Sequence, residues 1–319
     1  MRQLNRLVLI LTLVFGLSLA SVAQEGMQVV YQNENSVNAI PYYEQLYKQR
    51  TWTRVDLAQK QNKGFFSKNR EFTKVLIDAV MNDEIQTVYD AEPGLFELER
   101  KMTKEEFTKR LMKSDVDDQV VELQMLYEVD FPYNTGEIVE SDGVNYSCLQ
   151  DNNLDNNPAS SPEWWEVWAG EESEPYLPSE ITMIEVMEDV IFDKRRARQY
   201  NDIQSIRLIV SGEFTNDATN YYVATFAYRD LEKFFREHPE KAIWYNQYNS
   251  AENRNLADAF LLRLFHGDLY KVDNPEDLTI QDIYGTNAKT GEPSVKAGLI
   301  GAEYLRMKML EREHNLWSY

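Results

Sequence analysis

The chain is 319 residues long, 43% hydrophobic, and carries a formal charge of -20 at pH 7. That length accommodates about two domains with packed cores, and so acidic a surface repels nucleic acid and anionic lipid, leaving solubility or a basic protein partner as its use. Cys148 is the single cysteine, which excludes an internal disulfide.

Arg2 and Arg6 precede an apolar run from Leu7 to Leu19 that closes on the small residues Ala20, Ser21 and Ala23. This is the order of an export signal, residues 1–23, with cleavage expected after Ala23. The run is shorter than the roughly 20 apolar residues of a membrane-spanning helix, and no cysteine follows that would accept a lipid. The expected location is therefore the periplasm, with no direct membrane span. Residues 24–40 are polar and aperiodic and are expected to form a flexible lead-in.

From Pro41 the chain gains aromatic residues, Tyr42, Tyr43, Tyr47 and Trp52. Phe72, Val75, Leu76, Ala79 and Val80 keep the spacing of an amphipathic helix. Thr103 and Glu106 form a capping box ahead of Phe107 and Leu111. From Val121 to Val129 the period drops to two, the signature of a strand. After a polar, tryptophan-rich stretch, Ile181–Phe192, Ile203–Val210 and Tyr221–Tyr228 read as strands. Leu231–Glu237 is a short helix stopped by His238 and Pro239. Leu256–Phe265 is a helix with Leu256, Phe260 and Leu264 inward, which Gly267 is placed to end. Pro293 opens a last helix through Ala302, Leu305, Met309 and Leu310.

Val75–Ile85 can be laid over Ala259–Leu269, matching Leu76 to Phe260, Val80 to Leu264 and Ile85 to Leu269. Each stretch follows an Asp-Leu pair (Asp56 and Leu57; Asp230 and Leu231) and an aromatic pair (Phe65 and Phe66; Trp244 and Tyr245). The expected fold is α+β: two similar half-units, residues 41–130 and 173–319, as an internal duplication would give. Any two helix-to-strand junctions can share such a pattern.

Trp52–Leu57, Phe72–Tyr89, Glu188–Lys194, Thr225–Tyr228, Ala242–Asn246, Leu256–Phe260 and Glu311–Trp317, in this order, resemble the GldN/PorN family of gliding-motility and type IX secretion proteins. The resemblance implies a periplasmic structural component and not an enzyme. It implies assembly with an outer-membrane lipoprotein into a ring complex on the periplasmic side of the outer membrane.

Residues 131–172 depart from that pattern. Tyr133 to Gly136, the Ile138–Val139 pair, Gly143 to Tyr146, and Pro162 followed by Trp164 and Trp165 resemble the small chitin-binding modules of carbohydrate-binding families 5 and 12. Such modules are three short strands around a tryptophan. The resemblance implies stacking of sugar faces, from peptidoglycan or another polysaccharide, on Tyr133, Tyr146, Trp164, Trp165 or Trp168. One or two of these rings must instead form the core of so small a unit, and the module can equally be a spacer or a protein contact.

Catalytic constellations are missing from the pattern. His238, His266 and His314 form no i, i+4 zinc pair, and Glu311 with His314 lacks the second half of a di-metal site. Asp151, Asn153 and Asp155 begin like a calcium loop, but Asn156 and Pro162 stand where glycine and glutamate are needed. No phosphate-binding or nucleophile-elbow motif occurs, and Cys148 reads as a small core residue. No enzyme activity, cofactor or metal is expected. The run Lys194, Arg195, Arg196 and Arg198 is the one strongly basic feature: a solvated turn, or a contact to an acidic neighbouring subunit.

Overall fold

The computed structural model describes residues 33–92, 98–113, 125–168, 174–215, 217–286 and 291–316. The expected export signal, its cleavage point, Val121, Leu123 and Trp317 lie outside these residues. In chain order the strands are β1 Gln45–Asp56, β2 Phe66–Ser67, β3 Arg70–Glu71, β4 Val88–Tyr89, β5 Lys101–Met102, β6 Met125–Leu126, β7 Ile138–Ser141, β8 Val144–Cys148, β9 Trp165–Val167, β10 Met183–Asp193, β11 Arg198–Val210, β12 Tyr221–Ala227, β13 Ile243–Trp244, β14 Arg254–Asn255 and β15 Asp268–Val272. The helices are α1 Phe72–Met81, α2 Lys104–Leu111, α3 Tyr228–Glu237, α4 Leu256–Leu261, α5 Ile280–Tyr284 and α6 Val295–Leu316. The mixed α+β class expected from the pattern is what forms.

Seven strands make one antiparallel sheet in the order β15, β1, β10, β11, β12, β4, β5. Side chains alternate across it. On one face Val55, Ile184, Val186, Ile206, Leu208 and Phe226 are buried in a single apolar cluster with Leu76 of α1, Phe107 of α2, Leu231 of α3 and Phe260 of α4. The other face carries a row of paired polar groups across four strands, Arg54, Glu185, Arg207 and Thr225. Residues from both expected half-units thus share one sheet, with β1 second from one edge, between β15 and β10.

The two stretches that align in sequence also recur in backbone form. Each is an antiparallel pair of two-residue strands, β2–β3 across a tight turn or β13–β14 across residues 245–253, running directly into a helix, α1 or α4. The first helical N–H is bonded back to the residue before the hairpin, Phe72 to Phe65 O at 2.8 Å and Leu256 to Ala242 O at 3.0 Å. At the helix ends, Glu84 N–H reaches Ala79 O and Leu264 N–H reaches Ala259 O, both at 2.9 Å. The preceding Asp83 and Arg263 have φ of 58° and 52°. The helix starts fit the alignment of Leu76 with Phe260; the ends are displaced by one turn, because α1 has ten residues and α4 six.

Three sequence expectations are corrected here. The helix from Leu256 stops at Leu261 and not at Phe265, because Arg263 itself takes the left-handed conformation. Leu264 is consequently half-buried beyond the helix end. Gly267 does not cap the helix: it lies against β1, where an added Cβ would stand 2.4 Å from Arg54 O. In α6, Ala302 is buried and Leu305 and Met309 pack beside it, but Leu310 is 61% exposed. α6 meets α5 through small residues: a Cβ on Gly301 would lie 2.5 Å from Tyr284 Cβ. Among the described residues no helix is long and apolar enough to cross a membrane.

Candidate functional site

The insertion builds its own sheet, β6, β7, β8, β9. The expected three strands are β7, β8 and β9. A fourth, β6, precedes residue 131 and pairs in parallel with β7, Met125 with Val139 and Leu126 with Glu140. Asp142 and Gly143, at φ 54° and 78°, make the tight β7–β8 turn that an Asp-Gly pair favours. The stem closes where Lys113 N–H meets Glu174 O at 2.8 Å, beside the Met112–Pro175 bridge.

The core of this unit is Tyr133, Val139, Cys148 and Trp165. Tyr133 and Trp165 are 1% and 2% exposed, with ring centroids 5.3 Å apart. The Trp165 indole N–H donates to Asn156 O at 2.8 Å, and the Tyr133 hydroxyl accepts from Glu128 N–H at 2.7 Å. Buried rings cannot stack on a polymer, so Tyr133 and Trp165 are removed from the five candidate sugar-stacking residues. Tyr146, Trp164 and Trp168 are half-buried and keep accessible surface. Asp151 is used in a turn: it accepts from Thr135 N–H at 3.0 Å, and hydrogen bonding from Thr135 holds its carboxyl below the usual range. No cluster of three or more metal-ligating side chains occurs among the described residues.

The basic run is the turn between β10 and β11, and its form is set by one buried carboxylate. Asp193, fully buried, accepts from the N–H groups of Arg195 and Arg196 at 2.7 and 3.1 Å and from Arg196 Nη1 at 2.7 Å. Burial would raise the Asp193 carboxyl, but these donors and the Arg196 charge hold it below the ordinary range. Lys194 N–H bonds Glu44 O at 2.9 Å, and Arg195 Nε lies 3.2 Å from Glu44 Oε2. The turn is thus tied to Glu44, and the neighbouring Tyr42 and Tyr43 are 46% and 62% exposed. Lys194, Arg195, Arg196 and Arg198 all face solvent.

The polar row on the sheet was not legible from residue types, because cross-strand register is set by tertiary pairing. Glu185, 3% exposed, receives Arg54 Nε at 3.0 Å and Arg207 Nη1 at 2.9 Å; Arg54 also donates to the Tyr222 hydroxyl at 2.9 Å and lies 3.4 Å from the Tyr270 ring centroid. Further along, Asp189 is fully buried between Lys48 and Arg50, each 2.7 Å away. Burial alone would raise the Asp189 carboxyl; the hydrogen bonds and charges of the two cations prevail and lower it. These groups neutralise each other, which suits holding strands together better than acting on a substrate. The three histidines lie apart, His238 against the Phe234 ring, His266 bonded through its N–H to Asn62, and His314 on α6.

A family model described as gliding motility associated protein GldN matches residues 40–318. No curated protein matches the chain.

Proposed function

The chain belongs to the GldN family of gliding-motility-associated proteins, and on that premise we propose that it is a non-enzymatic scaffold subunit in the periplasm. In this reading it assembles with an outer-membrane lipoprotein of the type IX secretion and gliding machinery into a ring. The observation that carries it is the extent of the family match, from the lead into β1 to the end of α6, so that the whole sheet and its helices belong to the matched unit. The internally neutralised charges of the sheet face, Arg54 and Arg207 on Glu185 and Lys48 and Arg50 on Asp189, support a building block over a catalyst. The recurring hairpin–helix units, whose following strands β4 and β15 add to opposite sides of the sheet, support descent from a duplicated half. The test is capture of partners from a membrane extract by the exported chain. A lipoprotein of the same machinery should be recovered, and its absence with motility and secretion unaffected by gene deletion would sink the reading.

A second reading rests on Tyr146, Trp164 and Trp168, whose accessible ring surface suits a polysaccharide. Deleting residues 131–168 separates the two: a scaffold retains its partner, whereas a carbohydrate-binding protein loses retention on insoluble chitin or peptidoglycan.

A further inference from the structure

The chain is acidic as a whole, yet its charge is distributed unevenly. From Met125 to Trp168 there are nine carboxylates and no lysine, arginine or histidine, while the β10–β11 turn gathers four cations within five residues. The stem of the insertion, at Lys113 and Glu174, lies beside the strand ends at Tyr221 and Val210; Tyr176 next to it packs on Tyr221. The basic turn closes the opposite end of the same strands. β10 has eleven residues at about 3.3 Å each, so stem and turn stand roughly 35 Å apart.

Register places Glu140 on β7 and Glu166 on β9 on the side of the module away from its core: both alternate with core residues, Val139 and Trp165. Trp168 follows two residues after Glu166, its N–H bonded to Asn145 O at 2.9 Å, and Asn145 is the partner of Glu140. A half-exposed indole on the same outer side as two carboxylates suits a guanidinium or ammonium group. The same side exposes Leu126, opposite Glu140, to 72%. The turn offers the complement: Asp193 fixes its backbone through the N–H groups of Arg195 and Arg196, its four cations face solvent, and the segment tied to it through Glu44 exposes Tyr42 and Tyr43. Arginine and tyrosine are side chains that interface cores favour.

We propose that the basic turn of one copy docks on the acidic outer side of the insertion module of a second copy. Because the two surfaces differ and lie at opposite ends of the molecule, the contact is heterologous and propagates head to tail, closing into a ring or continuing as a filament. The proposal deepens the scaffold reading and rests on it only for the biological use of the contact.

The test uses the full exported chain, with self-association followed by sedimentation at low and high ionic strength. The wild type should associate at low salt and dissociate as salt screens the contact. Lys194→Glu with Arg198→Glu, and separately Glu140→Lys with Glu166→Lys, should each weaken association about tenfold or more, and a chain carrying all four reversals should recover to within about threefold of wild type. Melting temperatures check folding; Lys194→Gln with Arg198→Gln should weaken association in the same direction should the reversal unfold the chain. A wild type monomeric at low salt, a turn variant that associates like wild type, or a four-fold reversal without recovery overturns the proposal. Partner capture from a membrane extract is read on the same proteins. The turn variant should keep its lipoprotein, and loss of both together assigns the turn to that partner instead and overturns the proposal. A wild type that self-associates by charge but captures no lipoprotein defeats the scaffold reading while leaving this contact intact.

Discussion

At Trp164 and Trp165 the sequence permits one inward and one outward ring, since neighbours in an extended segment point to opposite faces. Which is which depends on Asn156 and Tyr133, whose approach no local pattern encodes; the structure buries Trp165. Trp165→Ala should therefore cost the module about 3–5 kcal/mol, as expected for a buried tryptophan, and Trp164→Ala under about 1 kcal/mol. Thermal melts monitored by tyrosine and tryptophan emission check both. Titration gives a second prediction at this scale. Asp189 and Asp193 titrate below the ordinary aspartate value in the folded chain. Their contribution to stability is complete above about pH 4, the unfolded value, and fades as pH falls through their lower folded values. Denaturant midpoints should hold steady above that pH and drop below it. Asp189→Asn should lower stability at neutral pH and flatten the acid limb, and an unchanged acid limb would show that Lys48 and Arg50 contribute nothing through this carboxylate.

At the scale of elements, helix starts are the best-read features. Thr103 and Glu106 form the expected capping box ahead of α2, and the apolar spacing in α1 returns as buried Leu76, Ala79 and Val80. The end of α4 is misread because an arginine, not a glycine, adopts positive φ there, stabilised by the Leu264-to-Ala259 bond and by its ion pair with Glu188. Leu264→Asp is accordingly expected to lower stability by about 2 kcal/mol, less than the same change at the fully buried Phe260; urea midpoints of the two variants decide it. In the β10–β11 turn, Ala197 has φ of 48° and is exposed. Ala197→Gly relieves left-handed strain while loosening the unfolded chain, for a net gain of about 0.5 kcal/mol, and a loss of stability on this change would mean that the turn geometry is not the strained one described.

For the molecule as a whole, apolar alternation announced strands and helices but not their partners, so it was not legible that strands from residues 41–130 and 173–319 share one sheet. β6 falls within the strand expected over Val121 to Val129, but its parallel pairing with β7 of the insertion is set by tertiary contact, which alternation does not encode. A fragment starting at Met125 should melt above one starting at Phe131, since the shorter one lacks β6 and Tyr127, whose ring meets Trp165 edge to face at 6.1 Å; both should be marginal, as units near 40 residues without a disulfide are. The shared sheet also governs when the molecule can form at all. β1 finds neighbours only in β10 and β15, pairing Gln45 with Asp193 and Thr53 with Leu269. Large loops must close before either contact is made, which places this chain among slow folders of high contact order. An N-terminal stretch emerging first from any pore therefore has no strand to pair with until β10 has followed it through, and the chain stays threadable for most of its length.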